Sequence, residues 1–155
     1  MICQNCGSDQ LIVTNSRSTN HDTQIWRRRK CQKCNFVFTT HEKIDLSQLI
    51  VIKKSGKRVR YVAMKLYSSI YNAVVNGKKV DRGDAGVIAQ NIFFKVEEDI
   101  ILRKTKSIKT SEIGNIVLKN ISSNNLPVWL RFFAYFKSGT KKLSPSMVKK
   151  YLNKI

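Results

Sequence analysis

The sequence predicts an α+β chain: a small three-stranded ribbon built around a metal site, then a mainly helical domain that opens on a β-hairpin. Three observations predict it. All four cysteines form two Cys-x-x-Cys pairs, Cys3/Cys6 and Cys31/Cys34, with 24 residues between them. Short β-prone runs alternate with polar turns as far as residue 45, and beyond residue 63 apolar residues recur every three or four positions. The boundaries read from this pattern are a ribbon over 1–45, a helical domain over 49–139 and a basic tail over 140–155.

Each element follows from its residues. Leu11-Ile12-Val13, the stretch from Gln24 to Arg29, and Phe36 to Thr40 are short and β-prone, with Asn15-Ser16 and Ser18-Thr19-Asn20 expected as turns. In the middle strand Arg27 and Arg29 share one face and Trp26 and Arg28 the other. Trp26 either covers the small core or stacks on a base, and the core is the favoured reading because an exposed tryptophan is costly in so small a module. After a polar link from Glu42 to Gln48, Leu49 to Ile52 is an apolar strand, Ser55-Gly56 a hairpin turn and Arg58 to Val62 its second arm. Met64, Leu66, Tyr67, Ile70, Tyr71 and Val74 mark a first helix, ended by Asn76-Gly77. A second helix, capped by Asp84, carries Val87, Ile88, Ile92, Val96, Ile100 and Ile101. A third, capped by Thr110 or Ser111, carries Ile113, Ile116, Val117 and Ile121. Asn125-Leu126-Pro127 opens the last, whose stripe Trp129, Phe132, Phe133 and Phe136 is either core or a subunit contact; Gly139 closes it.

Cys3, Cys6, Cys31 and Cys34 are read as the ligands of one structural Zn²⁺ per chain. Each pair grips from one tight turn, and four thiolates close the coordination shell and leave no catalytic position open. Gly7 and Asn35, directly after the pairs, tolerate the positive φ such turns impose. Two disulfides would suit a secreted domain, but Met1-Ile2 leaves no room for a signal core before Cys3, so a cytoplasmic chain is expected. A redox Cys-x-x-Cys would sit at a strand-to-helix turn, and a zinc deaminase needs His-x-Glu where this chain has only the adjacent His41-Glu42. His21 and His41 are expected as surface or polar-contact residues.

The formal charge of +19 points to a polyanionic partner, and no apolar run is long enough to span a membrane. Residues 1–45 hold seven Lys/Arg against four Asp/Glu, and residues 46–155 hold twenty-two against six. Within the ribbon the cations gather as Arg27, Arg28, Arg29 and Lys30, with Arg17 upstream and Lys33 between the last two cysteines. These six are the candidate nucleic-acid contacts, since arginine forks hold phosphates or read guanine edges and a metal module fixes their direction. Lys141, Lys142, Lys149, Lys150 and Lys154 of the tail have no acid among them and would strengthen nonspecific binding.

The order of modules resembles the NrdR transcriptional repressors of bacteria, which join a zinc ribbon to an ATP-cone. The resemblance rests on Cys3-Gln4-Asn5-Cys6-Gly7, Ser16-Arg17, Ile25, Arg27 to Cys34, Phe38-Thr39-Thr40 with Glu42, Val51 to Gly56, Lys65-Leu66 and Arg131-Phe132, and covers residues 1 to about 139. It implies a ribbon that binds double-stranded operator DNA, a cone in which ATP or dATP controls homo-oligomerisation, ribonucleotide reductase genes as targets, and a nucleoid-associated location in the bacterial cytoplasm. In the cone, Lys53, Lys54 and Lys65 can neutralise a triphosphate and Val51 and Tyr61 can cover a base; Lys79 represents a basic position of the family. No Walker motif or metal-positioning carboxylate is present, so binding without turnover, not enzyme activity, is expected.

The chain departs from the family where an acid and Pro-Phe usually follow the glycine turn: it has Val59-Arg60-Tyr61. Trp26 stands at a usually basic position and Asn15 replaces an acid. The leading expectation is a zinc-containing, nucleotide-responsive repressor. The alternative is a zinc-ribbon nucleic-acid-binding accessory protein of transcription or RNA metabolism, with no nucleotide sensing.

Overall fold

The computed structural model describes residues 1–76, 81–121 and 125–137, and the chain divides into two units, Met1–Asp45 and Leu46–Ile155. Gly77, Lys79, Gly139 and the 140–155 tail lie outside the described residues.

The first unit is an antiparallel sheet of β1 (Leu11–Thr19), β2 (Gln24–Cys31) and β3 (Val37–Lys43), in that order. β1 runs well past the expected Val13. Asn15 through Thr19 do not turn, because β2 supplies a partner for each of them out to Thr19 opposite Gln24; a bulge between Val13 and Asn15 absorbs the extra residue. The turn moves to Asn20, His21 and Asp22, all at positive φ (51°, 49° and 63°), where two of the three residue types tolerate the left-handed region well. The Ser18 hydroxyl donates to the Asp22 carboxylate, and the Thr23 hydroxyl donates to the Asn20 carbonyl at 2.6 Å.

In the second unit β4 (Ile50–Ile52) pairs antiparallel with β5 (Arg58–Arg60) across a turn in which Gly56 takes φ 80° and donates its N–H to the Lys53 carbonyl. The hairpin is not alone. A third strand, β6 (Ser107–Lys109), lies parallel to β4 and gives the order β5-β4-β6. Three residues with one buried side chain, Ile108, offer no periodicity to read, so the long-range parallel pairing supplies the strand.

The helices are α1 (Ala63–Val75), α2 (Arg82–Leu102), α3 (Thr110–Asn120) and α4 (Leu126–Lys137). Two caps differ from expectation. Asp81 rather than Asp84 caps α2, its carboxylate accepting from the Gly83 N–H at 2.9 Å, which leaves Asp84 to face the helix dipole from the first turn. At α3 the Thr110 hydroxyl donates to the Ile52 carbonyl of β4, and Glu112 accepts from the Lys109 N–H. The α2 stripe is Ala85, Ala89, Ile92, Val96 and Ile100, with Val87 exposed; two alanines at its start let α1 approach closely. Trp129, Phe132 and Phe133 are buried in the core, with Trp129 and Phe133 stacked at 5.0 Å between centroids, so the α4 stripe is core. Met64 and Tyr135 are exposed. Among the described residues no helix is long and apolar enough to cross a membrane.

Candidate functional site

The two cysteine turns of the first unit repeat one geometry. Gly7 N–H donates to the Cys3 carbonyl and Asn35 N–H to the Cys31 carbonyl; Cys3 N–H then donates to Ser8 and Cys31 N–H to Phe36, all at 2.8–3.0 Å. Gly7 and Asn35 both hold positive φ, 71° and 62°, as the spacing predicts. The result is convergence: the four sulfurs lie within 4.8 Å of one another, with Cys3 to Cys34 at 3.6 Å and Cys6 to Cys31 at 3.7 Å. A tetrahedron with Zn–S bonds of about 2.3 Å has edges of about 3.8 Å, so donor set and spacing fit Zn²⁺. The Phe36 backbone and then the Asn5 side chain pull the Cys34 thiol down to about 6. Cys6 is lowered by the Ser8 backbone, yet Cys34, burial and the other two sulfurs push it up to about 12. Four sulfurs this close resist ionising together, and a divalent cation removes that conflict.

The six candidate nucleic-acid contacts do not act as one cluster. Residues paired across the strands share a face, which puts Arg27 and Arg29 with Thr40 and Glu42, and Arg28 and Lys30 with Arg17 and Trp26. On the first face Glu42 Oε1 lies 3.3 Å from Arg27 Nε and 3.8 Å from Arg29, while Arg29 Nε donates to the Thr40 hydroxyl at 3.0 Å. The Arg27 contact is an ion pair without hydrogen-bond alignment. On the second face the Arg17 guanidinium sits 4.5 Å above the Trp26 ring. Trp26 is half-buried and outside any buried core: the unit has too little apolar material to enclose it, and Arg17 covers it instead. Lys33 is exposed in the second cysteine turn.

In the second unit a cavity of about 390 Å³ opens between the small sheet and helices α1, α3 and α4. Of the candidate nucleotide contacts, Val51, Lys53, Tyr61 and Lys65 line it together. Lys54 does not. Its ammonium reaches the Phe136 carbonyl at 3.5 Å, near the C-terminal end of α4, and lies 5.7 Å from the Phe136 ring centroid, because alternate residues leaving β4 point apart. Lys79, the remaining candidate, falls outside the described residues.

Sequence reasoning missed Arg60, which lines the cavity with Lys53 and Lys65 to make three cations and no carboxylate in the described lining. Strand alternation gives no signal for it, since Arg60 pairs with Ile50 while the cavity-lining Val51 pairs with Val59. Phe136, Thr110 and Gly114 were missed as lining too. At Gly114 a Cβ would overlap the Phe136 ring, so the glycine gives that ring its place in the wall. Behind the wall the Tyr61 hydroxyl donates to Glu97 of α2 at 3.0 Å, and burial, reinforced by the Glu97 charge, holds the phenol well above its usual range.

Residues 1–42 match the family model described as the N-terminal domain of NrdR-like transcriptional repressors, and residues 49–138 match the model of the ATP cone domain. The chain is 31% identical over 137 residues to a protein named transcriptional repressor NrdR from Prochlorococcus marinus (strain MIT 9301), covering 88% of this chain and 83% of that one. A protein of the same name from Hyphomonas neptunium is likewise 31% identical over 137 residues, with the same coverage. One from Petrotoga mobilis is 32% identical and is covered to 88% on both sides.

Proposed function

The chain belongs to the NrdR family of transcriptional repressors, and on that premise we propose that it is a nucleotide-responsive repressor of ribonucleotide reductase genes. Its zinc ribbon binds double-stranded operator DNA, and ATP or dATP in the cone sets the homo-oligomeric state. The observation that carries the nucleotide half is the cavity, whose lining joins apolar Val51 and Tyr61 with the cations Lys53, Arg60 and Lys65, a set suited to a base joined to a polyphosphate. The described lining holds cations and apolar side chains, a combination suited to binding a polyphosphate, and among the described residues it offers no carboxylate to place a hydrolytic metal.

The mechanism is linkage. Where two nucleotides favour different subunit packings, the packing that aligns ribbons with adjacent operator boxes binds DNA more tightly, and DNA reciprocally favours that nucleotide. One small ribbon makes few base contacts, so pairing several raises affinity through effective concentration. Zinc is structural here: bound by Cys3, Cys6, Cys31 and Cys34, it holds the ribbon in shape. The family's usual acid is Val59 in this chain, and Val59 is not among the described lining, so discrimination at the ribose 2′ position falls to groups that do line the cavity.

The test is the mass of the zinc-loaded protein in solution with no nucleotide, with ATP and with dATP, read beside its affinity for ribonucleotide reductase promoter DNA. A nucleotide-dependent change in both is expected. One mass and one affinity under all three conditions would overturn the reading.

A further inference from the structure

We propose that the ribbon engages duplex DNA with one face of its sheet, that of Arg17, Trp26, Arg28 and Lys30, while Glu42 keeps Arg27 and Arg29 on the other face as framework. The inference rests on the reading of the ribbon as a DNA-binding module and says which surface does the work.

Strand register divides the basic cluster. The only carboxylate within the three strands is Glu42, and it lies on the Arg27/Arg29 face, within ion-pair distance of both. To grip a phosphate, either arginine must share or leave that half-exposed partner, which offsets part of the gain, and the carboxylate itself repels the phosphate. The opposite face carries no acid in any strand. Arg28 on it is exposed, opposite Asn15 on one side and Thr39 on the other, short side chains that leave the guanidinium clear. Arg17, its guanidinium 4.5 Å from the centre of the Trp26 ring, is held against that ring, and a side chain already held in place loses less freedom on meeting a phosphate pair or a guanine edge. Charge complementarity therefore selects a polyanion as the occupant of this face, and the regular spacing of cations on a twisted sheet suits a duplex backbone.

The experiment uses the full-length zinc protein and a fluorescent mixed-sequence DNA duplex, titrated at several salt concentrations. Arg17→Ala and Arg28→Ala are each expected to weaken binding roughly tenfold or more and to lower the salt slope by about one. Arg27→Ala and Arg29→Ala, checked for retained zinc, should weaken it less than about threefold. Glu42→Gln guards against misfolded arginine variants: it frees Arg27 and Arg29, so unchanged affinity supports the face assignment and clear tightening overturns it. A loss in Arg27→Ala equal to that in Arg28→Ala, with zinc retained, also overturns it. Wild-type protein with no salt-dependent duplex binding, or with tighter binding to RNA of the same sequence, would instead remove the DNA reading on which the assignment stands.

Discussion

The two units are held together by different physics. Met1–Asp45 has only three buried residues, Cys3, Cys31 and Thr23, whereas the second unit encloses a cluster of twenty described apolar residues running from Leu49 to Phe133. A sheet with no core to speak of spends its side chains on polar contacts, and its shape rests on the convergence of four sulfurs. A helical unit with a closed core can carry a cavity in its wall and lose single polar contacts without unfolding. The lesson is that the proposed DNA surface is set by a metal site in one unit and the proposed nucleotide cavity by packing in the other, so the two should fail independently.

Metal removal is the most severe way to break that comparison. Binding of structural zinc contributes on the order of 10 kcal/mol or more to the folding of modules of this kind. Cys31→Ser is therefore expected to abolish stoichiometric zinc and unfold the ribbon while the helical content of the second unit persists. Metal analysis and circular dichroism on the same sample check it; full zinc retention would end the four-cysteine assignment.

The complementary break is in the core. Phe133 is 1% exposed and stacked on Trp129, and its replacement by Ala should cost about 3–5 kcal/mol, lowering the melting temperature of the helical unit with zinc content unchanged. Gly114→Ala should cost about 1–3 kcal/mol by overpacking against Phe136, and because that ring lines the cavity it should also weaken nucleotide binding. Simultaneous loss of zinc in either variant, followed by metal analysis through thermal unfolding, would show that the units are not independent.

What the sequence disclosed follows the same division. Cysteine spacing and the Gly7 and Asn35 positions are local, so the metal turns were legible down to their φ angles. The helices were legible because their apolar stripes repeat, although Ala85 and Ala89 hid in α2 as residues too small to mark a stripe. Long-range facts were not legible. The β6 strand exists through pairing with a segment some 57 residues away, Arg60 joins the cavity through that sheet, and Lys54 leaves it because α4 ends beside the hairpin. The unequal standing of Arg27 and Arg28 needed Glu42 placed across the sheet, which register alone supplies.

Cavity electrostatics give a smaller effect. Replacing Lys53 and Lys65 together with Ala should weaken ATP and dATP alike, by roughly 1.5 kcal/mol per lysine, the lower end for charge-assisted bonds because both side chains are exposed. Arg60→Ala should add a comparable loss. Calorimetry with both nucleotides checks this, and unchanged affinity would take these cations out of the site. Zinc content should not move in any of these variants.

The smallest effect is also the most specific to the packing-set unit. Tyr61→Phe removes the hydroxyl that bonds Glu97, at a cost of about 1 kcal/mol near neutral pH, and should leave the apolar wall of the cavity intact. The pH dependence carries more information. Burial first, then the charge of Glu97, raises the folded-state phenol above the ordinary tyrosine value of about 10, so folding opposes ionisation. A group raised in this way contributes stability that is fully present below the unfolded value and is lost as pH climbs above it, because the unfolded chain releases its proton first. The wild-type helical unit should thus lose stability as pH rises beyond about 10, and Tyr61→Phe should flatten that decline while remaining the weaker protein at neutral pH. Denaturant midpoints followed by helical circular dichroism across that range test it. Parallel declines in the two proteins would mean that Tyr61 ionises as freely folded as unfolded, and that the Glu97 contact does not hold the cavity wall.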